Sequence, residues 1–185
     1  MEKVKLGLIG CGWAVNDFYA PAFQFLEKGE LVAVMDIREE RAKYMQEQFM
    51  TPRCYTRLDD IVNDKDVEAV MVLTPPHHHR EPVVAAAKAG KHVYCEKPMA
   101  PTIAEADAMI AACKENNVKF TIAFMKRFNR SFRQVKAWLE EGRLGQVFEM
   151  RARWDNARVG GPSGEQYRLT LASGGGFLQP NFFFS

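Results

Sequence analysis

The sequence predicts an α/β fold, in which a doubly wound parallel sheet is followed by the incomplete start of an α+β domain with an antiparallel sheet. Up to about residue 124, short apolar runs recur, and each is followed by a segment in which apolar residues have helical spacing. Because these runs are apolar on both faces, they are typical of parallel strands covered by helices on either side. Further along, one segment alternates strictly between apolar and polar side chains, as an antiparallel strand with one solvated face does. We therefore expect two domains, residues 1–123 and 124–185.

The helices of the first domain have recognisable starts and stops, and they separate predicted strands with the sequences VKLGLIG, LVAVMD, VEAVMVLT, KHVYC and KFTIAF. Residues 38–49 place an apolar stripe on one helix face. Pro82 suits the first turn of the next helix, and Gly90 suits its end. Thr102 and Glu105 have the spacing of a capping box for a further helix.

The predicted second domain contains one helix and one strand. Residues 131–141 form an amphipathic pattern that Gly142 would end. The segment QVFEMRARW follows, and its alternation puts Phe148, Met150, Ala152 and Trp154 on one face. Only this one clear strand of the antiparallel sheet is present in the sequence.

Composition limits the classes of function. The chain has 185 residues with 25 basic and 23 acidic side chains, and the formal net charge of +2 gives little reason to expect nucleic acid or a membrane surface as a partner. The four cysteines lack a CxxC pair, which favours reduced thiols and a cytoplasmic location. The apolar run in the opening MEKVKLGLIG is too short for a signal peptide, and no stretch elsewhere in the sequence approaches membrane-spanning length, so we expect neither feature.

The turn after the first strand reads Gly10-Cys11-Gly12-Trp13-Ala14-Val15. Gly10 would allow a tight turn, and Gly12 would let the backbone N–H groups at a helix N-terminus, near Trp13 and Ala14, approach a pyrophosphate. Val15 occupies the third position of the G-x-G-x-x-G pattern, where glycine or alanine is usual. Two glycines in such a turn can also be purely structural, so a second signal is needed.

That second signal is Asp36, an acid at the end of the second predicted strand. A carboxylate at this place can accept hydrogen bonds from the ribose hydroxyls of NAD. Arg38 follows closely and could meet a 2′-phosphate, so NADP remains open. Strand, glycine turn, helix, strand and acid occur in the order of a Rossmann dinucleotide-binding site.

Three stretches together resemble the Gfo/Idh/MocA oxidoreductases, which include glucose-fructose oxidoreductase and inositol dehydrogenases. They are GLIGCG, then TPPHHHREPVVAAAKAGKHVYCEKPMA, then MKRFNRSFRQVKAWLEEGRLGQVFEMRARW. The resemblance covers residues 4–178, and its most specific element is the EKP motif. It implies an NAD(P)-dependent oxidoreductase that transfers a hydride between a nicotinamide cofactor and a sugar, polyol or related small hydroxy compound. It also implies that a full-length member is a homo-oligomer.

The resemblance assigns roles to residues at the ends of later strands. Lys97 matches the family's active-site lysine, whose ammonium group hydrogen-bonds the reacting oxygen; a solvated loop lysine is the alternative. Pro98 would rigidify the motif, with a cis Lys97-Pro98 peptide bond as our hypothesis. The remaining candidate cofactor contacts are Thr74, Pro75, His79 and Glu96.

Two further features weigh on function. The run His77-His78-His79 is a poor metal site, because three consecutive histidines cannot converge on one ion without backbone contortion. The family also has a second catalytic cluster after a glycine triplet, but here Pro180 stands where the resemblance implies an aspartate and Phe184 where it implies a histidine. We therefore expect a fragment of a longer family member, and losing a positioned base typically costs about 10²–10⁴ in rate. A non-catalytic dinucleotide-binding or sensor protein is the alternative.

Overall fold

Six parallel strands form the sheet at the centre of the molecule. The computed structural model describes residues 2–151, and the strand order is β3-β2-β1-β4-β5-β6. All five pairs of neighbouring strands are parallel. The strands are β1 (Val4–Ile9), β2 (Gly29–Met35), β3 (Arg53–Tyr55), β4 (Ala69–Val72), β5 (His92–Cys95) and β6 (Phe120–Ile122). The order reverses direction between β1 and β4, which creates a crevice at the carboxyl ends of these two strands.

Helices connect the strands and cover both faces. A π-helical segment, Val15–Tyr19, leads into α1, and short 3₁₀ turns cover Pro76–His78 and Met125–Phe128. The α-helices are α1 (Ala20–Phe23), α2 (Glu39–Phe49), α3 (Leu58–Val62), α4 (Arg80–Lys88), α5 (Ile103–Glu115) and α6 (Arg130–Glu140). The α/β fold with a doubly wound parallel sheet is therefore confirmed.

The core divides into two clusters because neighbouring strand residues point to opposite faces of the sheet. Leu8 and Val34 belong to a cluster that includes Met45 of α2, whereas Ile9 and Met35 belong to one that includes Met109 of α5. This division explains why the strands are apolar on both faces.

The predicted helix punctuation agrees with the structure. The hydroxyl of Thr102 accepts a hydrogen bond from the backbone N–H of Glu105 (3.2 Å) at the start of α5. Gly90 has a left-handed φ of 73° just after α4. Strand β3 was not predicted: its three residues are half-buried at the sheet edge, and a run so short has no readable period.

Beyond β6 the structure contains α6, as predicted, and Gly142 after it has a φ of 69°. The strand predicted at QVFEMRARW does not form over residues 146–151. A strand needs a neighbour to pair its backbone groups, and residues 2–151 offer none there; Phe148 is 87% exposed. Ala152, Trp154, the glycine triplet, Pro180 and Phe184 lie outside the described residues. In the part of the chain described here, no helix is long and apolar enough to cross a membrane.

Thiol reactivity tests this packing. Cys11, Cys95 and Cys113 are buried and Cys54 is half-buried, and none forms a disulfide. Burial raises the pKa of the Cys11 thiol to about 12, and burial also raises the pKa of Cys54. We expect a thiol reagent to modify Cys54 first in the native protein at pH 8, and the other three only on unfolding. Mass spectrometry of the labelled peptides gives the order, and fast labelling of Cys11 in the folded chain would contradict the packing.

Candidate active site

The predicted site residues come together at one edge of the sheet. The glycine turn follows β1, Asp36 follows β2, the Thr74-Pro75 turn follows β4, and Glu96 and Lys97 follow β5. The carboxyl ends of parallel strands share one edge, so four separate stretches of sequence border a single crevice.

The two glycines of the turn meet different surroundings. Gly10 has a φ of 94°, and a Cβ atom there would lie 2.9 Å from Cγ2 of Thr74 and 3.0 Å from the carbonyl carbon of Leu73. Only glycine, which has no Cβ atom, therefore fits where the turn passes the end of β4. At Gly12, by contrast, a Cβ atom would meet no heavy atom of the described residues within 4 Å apart from its chain neighbours. Gly12 is not needed for packing within residues 2–151, and it leaves open space beside the turn.

Val15 departs from the usual small residue without disturbing the turn. Its side chain is fully buried against the cluster that contains Leu8 and Met45. Its backbone N–H donates to the carbonyl oxygen of Gly12 (3.1 Å), and the following turn is π-helical. The larger side chain is therefore accommodated in the core beneath the turn and stays away from the open space at Gly12.

The Asp36 carboxylate joins the glycine turn to the end of β2. It is 8% exposed; Oδ2 accepts from the backbone N–H of Cys11 (2.8 Å) and Oδ1 from that of Arg38 (2.9 Å). A carboxylate has about four acceptor positions, so two backbone contacts leave capacity for ligand hydroxyls.

Two exposed side chains follow Asp36 in the chain. Arg38 is exposed at the start of α2, in the position expected from the sequence. Ile37 is 82% exposed, which is a large apolar surface for a residue at a ligand-binding edge. Nothing in the local sequence pattern singles out Ile37, because only the folded chain shows that it faces outward beside the acid.

His79 is placed differently from the other candidates, since its side chain has no exposed surface. Nδ1 lies 3.0 Å from the carbonyl oxygen of Pro98 and 3.1 Å from that of Met99, and Nε2 lies 2.7 Å from that of Thr74. Burial lowers the pKa of His79, and the carbonyl oxygens partly oppose this shift. The ring thus spans the gap between the end of β4 and the EKP motif.

The EKP motif continues directly from β5. The backbone N–H of Glu96 donates to the carbonyl oxygen of Val72 (2.9 Å), which extends the ladder by one bond. The Lys97-Pro98 peptide bond is cis, as predicted. Lys97 is half-buried and Pro98 is buried, so the lysine is not a freely solvated loop end.

The Glu96 carboxylate has two defined contacts. Oε2 accepts from the backbone N–H of Lys97 (2.6 Å), and Oε1 accepts from the hydroxyl of Tyr19 (2.7 Å). The Tyr19 hydroxyl also lies 3.1 Å from that of Tyr94. Burial raises the pKa of both tyrosines. The sequence pattern gave no signal for Tyr19, because its partner is distant in the chain.

The remaining candidates are partly exposed around the same crevice. Trp13 packs edge-to-face on Phe18, with ring centroids 5.1 Å apart, and Ala14 precedes the π-helical segment. The rings of His77 and His78 are neighbours, with centroids 4.0 Å apart. Residues 2–151 contain no group of three side chains placed to hold a metal ion.

The strand order and the glycine turn at its switch point define a dinucleotide-binding protein of the Rossmann class. Residues 4–124 match the family GFO_IDH_MocA, an oxidoreductase family with an NAD-binding Rossmann fold. The chain belongs to this family, as the EKP motif implied.

Known proteins of several activities resemble the chain. Myo-inositol 2-dehydrogenase of Thermotoga maritima is 33% identical over 148 residues, which are 80% of this chain and 44% of that protein. The WlbA dehydrogenase of Bordetella pertussis, solved with NADH and UDP-GlcNAcA, has a TM-score of 0.73 and 28% identity over 80% of this chain and 42% of its own. KijD10, a 3-ketoreductase of Actinomadura kijaniata solved with NADP and TDP-benzene, has a TM-score of 0.69 and 30% identity. The match covers 76% of this chain and 43% of KijD10. The chain spans somewhat less than half the length of these proteins.

A pair of glycine substitutions tests the two surroundings in the turn. Gly10→Ala forces a side chain into the left-handed region against β4, so we expect it to lower the free energy of unfolding by roughly 1–3 kcal/mol. Gly12→Ala should unfold at nearly the wild-type denaturant concentration but weaken NADH binding roughly ten- to hundredfold, because its methyl group enters the open space. Urea unfolding and NADH fluorescence measure the two effects. Equal stability losses in the two variants would show that the turn packs differently.

Proposed function

We propose that this chain binds NAD along the carboxyl edge of the sheet and supplies the lysine of a dehydrogenase that acts on a sugar, polyol or related small hydroxy compound. The observation that carries the proposal is the common edge itself. The carboxyl ends of β1, β2 and β5 lead to the open space at Gly12, the buried carboxylate of Asp36 and the half-buried Lys97, and ligands of this fold class bind at that edge of the sheet.

The residues present fit the cofactor. The backbone N–H groups of Trp13 and Ala14, beside Gly12, suit a pyrophosphate, and a Cβ atom at Gly12 would meet no side chain of residues 2–151 within 4 Å apart from its chain neighbours. Asp36 retains acceptor capacity for ribose hydroxyls, and exposed Ile37 offers an apolar surface for the adenine ring. Half-buried Trp13 and Ala14 follow β1, and half-buried Thr74 and Pro75 follow β4 at the same edge, whereas buried His79 contacts the carbonyl oxygens of Thr74, Pro98 and Met99.

Lys97 carries the chemical role. When bound, the nicotinamide supplies the hydride acceptor or donor. The Lys97 ammonium group hydrogen-bonds the substrate oxygen and stabilises the negative charge that develops on it as its proton leaves. The inositol dehydrogenase among the relatives, and the nucleotide-sugar compound bound to WlbA, support a hydroxylated substrate.

A second candidate function is dinucleotide binding without catalysis. It is favoured by Pro180 and Phe184, which replace the aspartate and histidine that the family resemblance implies. Binding and turnover measured together separate the two functions.

We also propose that residues 124–185 begin a second domain. The apolar face of α6 supports this division, because none of its residues is buried within residues 2–151 and Trp138 remains 36% exposed. A helix with a strong apolar stripe is normally covered, so further structure is expected to pack on α6.

Cofactor binding and turnover test the main proposal directly. We expect NADH to bind the full chain and NAD to be reduced when a polyol substrate is added. Lys97→Ala should leave NADH binding within a few-fold of wild type while lowering any turnover by about 10²–10³, because it removes a donor to the reacting oxygen. Lys97→Arg keeps the charge and serves as the matched control. Binding without turnover on a polyol panel would support the non-catalytic function, and absence of binding would contradict both.

The choice of cofactor follows from Asp36. A buried carboxylate beside the ribose position disfavours the 2′-phosphate of NADP, so we expect NADH to bind more tightly than NADPH. Asp36→Asn keeps an acceptor oxygen but removes the charge, and it should reduce this preference on the order of tenfold. Fluorescence titrations with both cofactors measure it. Tighter binding of NADPH by the wild-type chain would show instead that Arg38 dominates.

A further inference from the structure

We propose that Glu96 and Tyr19 are positioning residues that hold the backbone at Lys97 in place and join it to the helical segment after the glycine turn. The inference rests on the proposed role of Lys97. It gives Glu96 a role in support of the lysine, where the family resemblance had suggested contact with the cofactor.

The Glu96 carboxylate contacts two neighbours within the chain. Its Oε2 atom accepts from the backbone N–H of Lys97 at 2.6 Å, and its Oε1 atom accepts from the Tyr19 hydroxyl at 2.7 Å. Hydrogen bonds to an ionised acceptor are short and about twice as strong as neutral ones. Each oxygen of the Glu96 carboxylate therefore fixes one neighbour within the chain.

The chemistry of the groups fixes the direction of these hydrogen bonds. A carboxylate only accepts, so the single proton of the Tyr19 hydroxyl is directed at Glu96. The hydroxyl of Tyr94, 3.1 Å from that of Tyr19, must then be the donor in its contact. The hydroxyl of Tyr94 therefore donates to Tyr19, and both the Tyr19 hydroxyl and the Lys97 backbone N–H donate to the Glu96 carboxylate.

Tyr19 lies in the helical segment that follows the glycine turn. It is the last residue of the π-helical segment Val15–Tyr19, which begins three residues after Gly12. Its ring is anchored by Phe23 and Tyr94, each with a centroid 6.2 Å away. The segment that follows the proposed pyrophosphate position is thus connected to the proposed catalytic lysine through one hydroxyl group.

His79 completes the support on the other side. Its ring contacts the carbonyl oxygens of Pro98 and Met99, while Glu96 holds the N–H of Lys97. Lys97, Pro98 and Met99 are therefore fixed by two side chains. One is that of Glu96, which follows β5, and the other is that of His79, which lies beyond β4. Such support is what a site needs to keep a reacting group within a fraction of an ångström.

The chemical shift of the Lys97 amide proton tests the inference directly. The full chain is labelled with ¹⁵N-lysine, and the Lys97 amide signal is assigned by its loss in Lys97→Arg. A short bond to a carboxylate moves an amide proton downfield, so we expect a downfield signal in the wild type. It should move upfield in Tyr19→Phe and further in Glu96→Gln. Tyr94→Phe is the matched control, because it removes a neighbouring hydroxyl but leaves the bond from Tyr19 to Glu96, and its signal should stay close to that of the wild type.

Two results would overturn the inference: a Lys97 amide signal unchanged in Tyr19→Phe, or one that moves equally in Tyr94→Phe. Thermal unfolding shows whether each variant folds, and if Tyr19→Phe does not, Glu96→Gln decides alone, with an unmoved signal counting against the inference. None of these spectra requires cofactor. NADH titration of the same samples therefore separates the outcomes: expected shifts without NADH binding refute the proposed function only, whereas NADH binding without shifts refutes the positioning role only.

Discussion

The site depends on the close passage of the glycine turn over the end of β4. Gly10 makes this passage possible, because any Cβ atom there would collide with Thr74 and with the backbone of Leu73. Once the turn is held against β4, the backbone N–H of Cys11 reaches the Asp36 carboxylate, and the end of β2 is joined to it. The open space at Gly12 then lies above the switch point of the sheet, where ligands of this fold class bind.

The same edge holds the lysine through contacts that are distant in sequence. The end of β4 contacts the turn through Thr74 and contacts the EKP motif through the ring of His79. Tyr19 provides a second connection from the helical segment to Glu96. Four strand ends are consequently held together by one close steric contact and a few buried or part-buried hydrogen bonds, and such preorganisation lets a site act on charge without rearranging.

Local patterns in the sequence predicted most of this arrangement. Some signals can be interpreted physically without knowledge of the fold. They are the five longer apolar segments, the glycine turn, Asp36 and the EKP motif. The sequence could not predict β3, whose three residues carry no period. It could not predict that His79 is buried, that Ile37 is exposed or that Tyr19 meets Glu96, because these properties arise from tertiary neighbours. The strand predicted at QVFEMRARW failed over residues 146–151 for a similar reason: alternation predicts a face, but pairing requires a second strand.

We propose that NAD lies along the carboxyl edge of this sheet, from the glycine turn to the EKP motif. Amide ¹H–¹⁵N spectra of the full chain, recorded with increasing NAD, test it most directly. We expect the signals of Gly12, Ile37 and Lys97 to move together with one dissociation constant. Those of Glu68 and Lys91, at the amino ends of β4 and β5, should stay in place. Saturable shifts confined to the amino edge, or no shifts at millimolar NAD, would contradict it.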